Sequence, residues 1–216
     1  MATQVKICGL RTAATLEVAL AYGADYVGFV FFPPSPRHIE PRGARPLVAS
    51  ARGRAKAVAL MVDPDDALLD AVKAVVAPDM LQVHGEETPE RVSEIRRRTG
   101  TPVIKAVKVA TSEHVVRAAR RFNGSADLLL LDAPPPEGAT RPGGHGFTFD
   151  WQAIAALDCG MPYMLSGGLT PDNVATAIRV TGAGIVDVSS GIERRPGEKD
   201  PELIRRFLLA AKGARQ

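Results

Sequence analysis

Short apolar runs recur along the chain at fairly even intervals, separated by stretches with the start signals of helices. Eight runs have the length and the content of β-branched residues that are typical of strands. They are VKICG (5–9), YVGFVF (26–31), AVALMV (57–62), MLQVHG (80–85), PVIKAVKV (102–109), DLLLLD (127–132), PYMLSGG (162–168) and GIVDVSS (184–190). The pattern therefore predicts eight strands.

Helix starts are marked between these runs. A capping Thr or Asp satisfies the unpaired N–H groups of a first turn, and a Pro just inside the helix lacks the N–H that would need an acceptor. Such signals are Thr12 before AATLEVALAYG, Asp63-Pro64 before DDALLDAVKAV, Thr88-Pro89 before ERVSEIRRR and Thr170-Pro171 before DNVATAIRV. Strands and helices are thus predicted to alternate.

Alternating strands and helices favour a parallel sheet with right-handed crossovers, and eight such units can close into a (β/α)₈, or TIM, barrel. The alternative is an open doubly wound sheet. The first strand is followed by CGLRT and not by a Gly-x-Gly-x-x-Gly fingerprint, so nothing signals a dinucleotide fold. With 216 residues, the whole chain 1–216 is predicted to be one barrel domain.

Composition narrows the function class. Hydrophobic residues make up 45% and charged residues 24%, as in ordinary globular proteins. The net charge of +3 is spread out except for Arg96-Arg97-Arg98 and Arg120-Arg121, which fall near predicted helix C-termini, so no nucleic-acid partner is expected. Neither a secretory signal nor an apolar run of membrane-spanning length is seen, which predicts a soluble cytoplasmic protein.

The two cysteines, Cys8 and Cys159, lack the spacing of metal ligands. Neither a disulfide framework nor a zinc site is implied, and no metal site is predicted.

Two connections are longer than the rest. They span residues 32–41, after the second strand, and residues 133–146, after the sixth. Both follow the C-terminal ends of strands, where barrel enzymes carry their active sites, so they are candidates for lids or binding segments. The alternative is a pair of surface insertions.

Two side chains at strand ends can carry proton chemistry. Lys6 and Cys8 share one face of the first strand because side chains alternate, and Asp132 ends the sixth strand after four leucines. A cysteine in a strand is often a small apolar residue, whereas an ionised aspartate is seldom buried without a partner or a purpose. Cys8 and Asp132 are both expected at the rim of the barrel.

Glycine-rich turns follow the seventh and eighth strands, in SGGLTPDN (166–173) and SSGIE (189–193). Backbone N–H groups of such turns bind phosphate in many barrels, and Gly167, Gly168 and Gly191 leave the backbone accessible while Ser190 adds a hydroxyl. The alternative is that the turns are merely tight. Small-molecule phosphate binding is predicted here.

Three further polar side chains fall on the same rim. Arg37 and His38 lie in the loop after the second strand, where a guanidinium fork suits a carboxylate. His84 ends the fourth strand and is predicted either to contact substrate or to bond a neighbouring backbone group.

Seven segments, in order and spanning nearly the whole chain, resemble the signature segments of the phosphoribosylanthranilate isomerase family. They are VKICGLR, GADYVGFVFFPPSPRHI, LQVHGEE, LLLDA, GGHGFTFDW, LSGGLTPDNV and DVSSGIE. The resemblance implies an Amadori rearrangement of N-(5-phosphoribosyl)anthranilate in tryptophan biosynthesis, without metal or organic cofactor.

The resemblance also implies roles for particular residues. Cys8 in KICG matches the family's general base, and Asp132 in LLLDA matches its general acid. Arg37 in SPRHI matches the arginine that faces the anthranilate carboxylate, and the SGG and SSG turns match the phosphate cradle. One departure is His145 in GGHGFTFDW, where the family more usually has Thr; no role is assigned to it.

The implied chemistry suits these groups. Asp132 must hold a proton in order to donate it, and Cys8 must lose one. An ordinary thiol, with a pKa near 8.5, is only a few per cent ionised at neutral pH, so Cys8 is expected to depend on local positive charge.

Two rivals stay open at this point. One is a related phosphate-binding barrel, such as the histidine-pathway isomerase or an enzyme that accepts both substrates, although those proteins have Asp where Cys8 stands. The other is a silent barrel that senses a phosphorylated metabolite. The oligomeric state is expected to be monomer or homodimer.

Overall fold

The computed structural model describes residues 3–134, 150–155 and 157–214. Eight parallel strands form a closed barrel in which each strand pairs with the next in the chain and the eighth pairs with the first. They are β1 Gln4–Cys8, β2 Tyr26–Val30, β3 Lys56–Met61, β4 Met80–Val83, β5 Val103–Lys108, β6 Leu128–Asp132, β7 Tyr163–Leu165 and β8 Ile185–Val188. The predicted barrel is confirmed, and the doubly wound alternative is excluded.

Seven α-helices surround the barrel in the described part of the chain. They are α1 Ala13–Ala21, α2 Pro41–Ala51, α3 Asp66–Val75, α4 Pro89–Thr99, α5 Ser112–Phe122, α6 Val174–Thr181 and α7 Pro201–Gly213. Between β6 and β7 the described residues include a 3₁₀ helix, Trp151–Ile154. After β8, a 3₁₀ turn (Ser190–Ile192) leads into a hairpin of β9 (Glu193–Arg195) and β10 (Glu198–Lys199).

Two of the predicted helix caps are confirmed. The Thr12 side chain accepts a hydrogen bond from the Thr15 N–H, and the Thr88 side chain accepts one from the Arg91 N–H with Pro89 in the first turn. The arginine runs also lie in the last turns of their helices, α4 and α5, where the helix dipole favours cations.

Two other predicted caps are wrong by two or three residues. Asp65, not Asp63, caps α3, because Asp63 has a positive φ of 44° and its carboxylate accepts from the Glu86 N–H instead. Asn173, not Thr170, precedes α6, and its side chain accepts from the Thr170 N–H at 2.8 Å. At α3 a bond to a distant segment outweighs the local signal, and at α6 a second local bond, three residues along the chain, does so.

Alternation along the strands divides the core into two regions. Outward-facing strand residues pack against the helices in the larger cluster. Inside the barrel, Tyr26, Val58, Ile104, Leu130 and Met164 belong to one cluster, and Cys8, Val30 and Leu60 form another. Since inward positions recur at every second residue, an inward-facing residue that ends a strand points into the C-terminal mouth of the barrel.

No helix in the described ranges is both long enough and apolar enough to cross a membrane.

Candidate functional site

The C-terminal mouth of the barrel collects the predicted site residues. Cys8 is the last residue of β1, Asp132 is the last residue of β6, and His84 directly follows β4. Asp132 keeps the inward parity of Leu130, and Cys8 keeps that of Lys6. The structure therefore brings the predicted base, the predicted acid and His84 to one rim, while their roles stay predictions.

Asp132 is held by two neighbours. Its Oδ2 lies 3.3 Å from Nε2 of His84, and its Oδ1 accepts from the Ala133 N–H at 3.0 Å. The amide nitrogen of Gln82 lies 3.2 Å from Nδ1 of His84. Because an amide NH₂ can only donate, a neutral His84 ring that accepts from Gln82 at Nδ1 carries its proton on Nε2, the nitrogen nearer the carboxylate.

Cys8 lies in a closely packed position. It is buried beside Val30 and Leu60, and its carbonyl oxygen accepts from the Ser189 hydroxyl at 3.2 Å. A Cβ atom at Gly28, the adjacent position on β2, would lie 2.9 Å from the Cys8 sulfur. The thiol position therefore depends on a glycine in the neighbouring strand.

A buried ion pair lies below Cys8 in the barrel. Lys6 Nζ is 2.8 Å from Oδ1 of Asp187, and Oδ2 of Asp187 accepts from the Ser166 hydroxyl at 3.1 Å. Burial alone would lower the pKa of Lys6, but the Asp187 carboxylate and Cys8 together outweigh it and raise the pKa above the ordinary value. Lys6 is therefore a permanent cation two residues from Cys8.

Positive charges lie near the Cys8 thiol, as expected, but they lower its pKa by less than burial and Asp187 raise it. Burial raises the pKa of Cys8 and Asp187 adds to this, whereas Lys6 and Lys199 lower the pKa; the result is a pKa above the ordinary value. The thiolate is thus a minor species at neutral pH in the ligand-free protein.

Arg37 differs from a simple loop arginine. It is only 6% exposed, and its Nε and Nη2 atoms donate to the two carboxylate oxygens of Glu193, each at 2.8 Å. Its aliphatic stem covers Gly9, where an added Cβ would lie 2.9 Å from Arg37 Cδ. The loop folds back because the Ile39 N–H donates to the Val30 carbonyl at the end of β2. The guanidinium fork therefore binds a carboxylate of this chain.

Lys199, on β10, completes this cluster. Its Nζ atom donates to Glu193 Oε1 at 2.8 Å and to the Ser189 carbonyl and hydroxyl at 2.8 and 3.2 Å. Burial lowers the pKa of Lys199 to about 8, with Glu193 offsetting part of the effect. For Glu193, burial raises the pKa, but Arg37 and Lys199 outweigh it, so the pKa falls below the ordinary value.

The two glycine-rich turns have open backbones. Gly167 and Gly168 have φ values of 83° and 60°, which L side chains rarely adopt, and a Cβ at Gly191 would lie 1.9 Å from the Leu169 carbonyl oxygen. Gly167 and Gly168 therefore lie in tight turns that need a positive φ, whereas Gly191 is required by close packing and not by its φ. The N–H groups of Gly167 and Gly168 have no backbone hydrogen-bond partner within the described part of the chain. Phosphate binding by these groups and by Ser190 stays a prediction.

Several residues of the site were not among the predicted ones. Lys6 and Asp187 are paired in the β1–β8 register. Two opposite charges inside apolar strands could have indicated this ion pair, because closure of the barrel places β8 beside β1. Glu193 and Lys199 carried no such signal, because the hairpin that buries them has no distinctive pattern.

Other predictions fall outside the described residues or concern metals. The long connection 133–146 lies outside them except for residues 133 and 134, and so does His145. Cys8 and Cys159 are both free thiols. Across residues 3–134, 150–155 and 157–214, no group of three or more His, Cys, Asp or Glu is placed to hold a metal ion.

Comparison with known proteins points to one family. Residues 5–210 match the family model described as N-(5'phosphoribosyl)anthranilate (PRA) isomerase. The chain is 53% identical over 216 residues to N-(5'-phosphoribosyl)anthranilate isomerase of Rhodopseudomonas palustris strain BisB5, covering all of this chain and 99% of that protein.

Solved structures agree with the sequence match. The phosphoribosyl anthranilate isomerase of Thermotoga maritima is similar with a TM-score of 0.86 and 37% identity, covering 98% of this chain and 99% of that one. Another structure of such an isomerase, solved in complex with reduced 1-(o-carboxyphenylamino)-1-deoxyribulose 5-phosphate, has a TM-score of 0.83 and 35% identity over the same shares.

Proposed function

Because this chain belongs to the N-(5'-phosphoribosyl)anthranilate isomerase family, we propose that it converts N-(5-phosphoribosyl)anthranilate into 1-(o-carboxyphenylamino)-1-deoxyribulose 5-phosphate, a step of tryptophan biosynthesis. The observation that carries the mechanism is the placement of Cys8 and Asp132 on β1 and β6 at the mouth that also holds the open turns after β7 and β8. A thiol and a carboxyl group at one rim suit a reaction that needs one base and one acid.

The first step opens the sugar ring. Asp132 in its protonated form donates its proton to the furanose ring oxygen, the bond from C1 to that oxygen breaks, and the nitrogen lone pair forms a C1=N Schiff base. His84, 3.3 Å from the Asp132 carboxyl, orients the donor. No metal or organic cofactor is needed for this step in the proposed scheme.

The second step moves a proton from carbon. The Cys8 thiolate removes the proton from C2, the C2–H electrons form a C1=C2 double bond, and the electrons of the C=N bond return to nitrogen. The resulting enol becomes the ketone by losing its hydroxyl proton and gaining one at C1. Lys6, paired with Asp187 beneath Cys8, favours the anionic form of the thiol.

The two ends of the substrate are anions, and both have a complementary site. The phosphate is assigned to the N–H groups of Gly167, Gly168 and Gly191 with the Ser190 hydroxyl. The anthranilate carboxylate is assigned to the cluster of Arg37, Lys199 and Glu193. This cluster has two cations and one carboxylate, and its net charge of about +1 favours an anion.

A turnover assay tests the proposal. Purified protein is mixed with N-(5-phosphoribosyl)anthranilate, and the loss of substrate and gain of product are followed by chromatography. The histidine-pathway aminoaldose is the second substrate, and we expect it to be a much poorer one. Binding without turnover would instead support the sensor alternative, and preference for the histidine-pathway substrate would support the related isomerase.

The cytoplasmic location and the oligomeric state, monomer or homodimer, stay predictions. Size-exclusion chromatography with light scattering measures the latter.

A further inference from the structure

Lys199 takes no part in the two proton transfers, yet it is buried at the active-site mouth. It is 6% exposed, although a buried ammonium is costly unless several acceptors surround it. Its three acceptors belong to Ser189 and Glu193, on either side of the 3₁₀ turn that follows β8. These contacts point to a role for Lys199 in the site as well as in the stability of the fold.

One arm of its contacts leads to Cys8. Lys199 Nζ donates to the Ser189 hydroxyl at 3.2 Å, and that hydroxyl donates to the Cys8 carbonyl at 3.2 Å. The hydroxyl is oriented because the ammonium can only donate to it, which leaves its own proton for the Cys8 carbonyl. The end of β1 is thereby tied to the segment after β8.

The other arm leads to Arg37. Lys199 and the guanidinium share Glu193, whose Oε1 accepts from both at 2.8 Å. The stem of Arg37 in turn lies against Gly9, which follows Cys8 in the chain. The two arms therefore form a closed circuit that runs from Cys8 through Lys199 and Glu193 to Arg37 and back.

We propose that Lys199 is a positioning residue that holds the Cys8 end of β1 and the Arg37 guanidinium in one fixed arrangement, so that a single substrate meets both. This inference rests on the proposed function, in which Cys8 is the base and Arg37 binds the anthranilate carboxylate. Lys199 also contributes charge, since its ammonium is one of two cations that favour the Cys8 thiolate, against Asp187 on β8.

The test compares two substitutions with a matched control. Lys199→Met keeps the length of the side chain and removes its charge, whereas Lys199→Arg keeps the charge. Lys212→Met removes a lysine on α7 that pairs with Asp25, just before β2 at the opposite end of the barrel. Kinetics are measured across pH, and thermal unfolding is measured for each protein.

For Lys199→Met we expect kcat/KM to fall on the order of 10- to 100-fold, because misplacing a reacting group by about 1 Å costs that much. The loss should divide between a lower kcat, from the Cys8 arm, and a higher KM, from the Arg37 arm. The acidic limb of the kcat/KM profile should move to higher pH. Lys199→Arg should keep that limb where the wild type has it, and Lys212→Met should stay within about twofold of the wild type in kcat/KM.

A second measurement does not depend on turnover. The rate of alkylation of Cys8 by iodoacetamide, read by mass spectrometry against pH, reports the thiolate fraction, with Cys159 as internal reference. The Cys8 curve should move to higher pH in Lys199→Met, and the Cys159 curve should not move. If the wild type alkylates as expected but does not turn over the substrate, the proposed function is wrong while the link to Cys8 stands.

Unchanged kcat, KM and Cys8 alkylation in folded Lys199→Met would overturn the positioning role, even if its thermal stability fell. Should Lys199→Met fail to fold, Glu193→Gln tests the proposal instead. This substitution keeps the shape of the side chain and removes the negative charge that Lys199 and Arg37 share. That variant should raise KM on the order of tenfold and lose activity at lower pH than the wild type, since Glu193 raises the pKa of Lys199. Wild-type KM and pH dependence in Glu193→Gln would refute the proposal.

Discussion

The Nε2 atom of His84 lies 3.3 Å from Oδ2 of Asp132, and its other ring nitrogen lies 3.2 Å from the Gln82 amide nitrogen. The imidazole is therefore held between an amide and the carboxyl group of the predicted acid. The structure thus gives His84 a contact with a side chain of the site, beside the two roles that the sequence left open, substrate contact or a bond to nearby backbone. Substrate contact by His84 stays a prediction.

That contact predicts a smaller, dependent effect of His84. His84→Phe keeps the ring and removes both nitrogens, so kcat should fall about tenfold, less than in Asp132→Asn. The double variant should be no slower than Asp132→Asn alone, because His84 acts through that carboxyl group. Additive losses in steady-state kinetics would show that His84 acts independently.

Cys8→Ala and Asp132→Asn should each lower kcat by about 10² or more with modest changes in KM, as expected for a general base and a general acid. Cys159→Ala is the matched control, because Cys159 precedes β7, away from the mouth, and its thiol hydrogen-bonds the Met161 carbonyl and packs on the outer core. Near-normal turnover in folded Cys8→Ala would remove Cys8 as the base, and the same result in Asp132→Asn would remove Asp132 as the acid.

Arg37→Met should weaken substrate binding and also destabilise the fold. The sequence predicts that a loop arginine can be replaced with little harm to folding. Arg37, however, is buried and forms a bidentate ion pair with Glu193. Removing one partner of a buried ion pair costs about 3 kcal/mol or more, so chemical denaturation should show a clear loss. KM should rise at least tenfold. If stability falls while KM stays at the wild-type value, Arg37 is structural and has no part in binding.

The phosphate turns are tested by substitutions at two glycines with nearly equal φ angles. Gly168 and Gly100 have φ values of 60° and 59°, a region that Asn tolerates, and a Cβ at Gly100 meets nothing within 4 Å. Inorganic phosphate should inhibit the wild type competitively, and Gly168→Asn should raise its inhibition constant at least tenfold. Gly100→Asn should leave that constant unchanged. Equal constants in Gly168→Asn and the wild type would place the phosphate elsewhere.

The buried Lys199 predicts a specific dependence of stability on pH. Its pKa is about 8 in the folded protein, against an ordinary value of 10.5. Between these values the unfolded chain holds a proton that the folded chain has lost, so the free energy of unfolding rises with pH, on the order of 3 kcal/mol in all. Below pH 8 both states are protonated and the contribution is constant.

Urea unfolding of the wild type and Lys199→Met from pH 7 to 10.5 isolates this contribution, because other groups titrate in both proteins. The difference in unfolding free energy between wild type and variant should grow in favour of the wild type as pH rises. A pH-independent difference would show that Lys199 keeps an ordinary pKa.

Local sequence signals predicted the fold but placed some helix starts wrongly. Eight apolar runs correspond to the eight strands within two or three residues at each end, because strand length and burial follow from the apolar pattern alone. The starts of α3 and α6 were wrong since Asp63 bonds Glu86 and Thr170 bonds Asn173. The Asp63–Glu86 bond joins segments 23 residues apart, which no local rule pairs, whereas the Thr170–Asn173 bond is a local alternative three residues along the chain.

The sequence by itself thus determined the order of strands and helices, the barrel they form, and the strand ends on which Cys8 and Asp132 stand. These properties depend on period and turn chemistry, which act over a few residues. Only the tertiary structure decided that Arg37 forms a bidentate ion pair with Glu193, 156 residues away in the chain. It likewise decided that Lys199 binds the segment beside Cys8. The physical reason is that a buried charge takes whichever partner the closed barrel brings within reach, and that choice is made by packing rather than by neighbours in the chain.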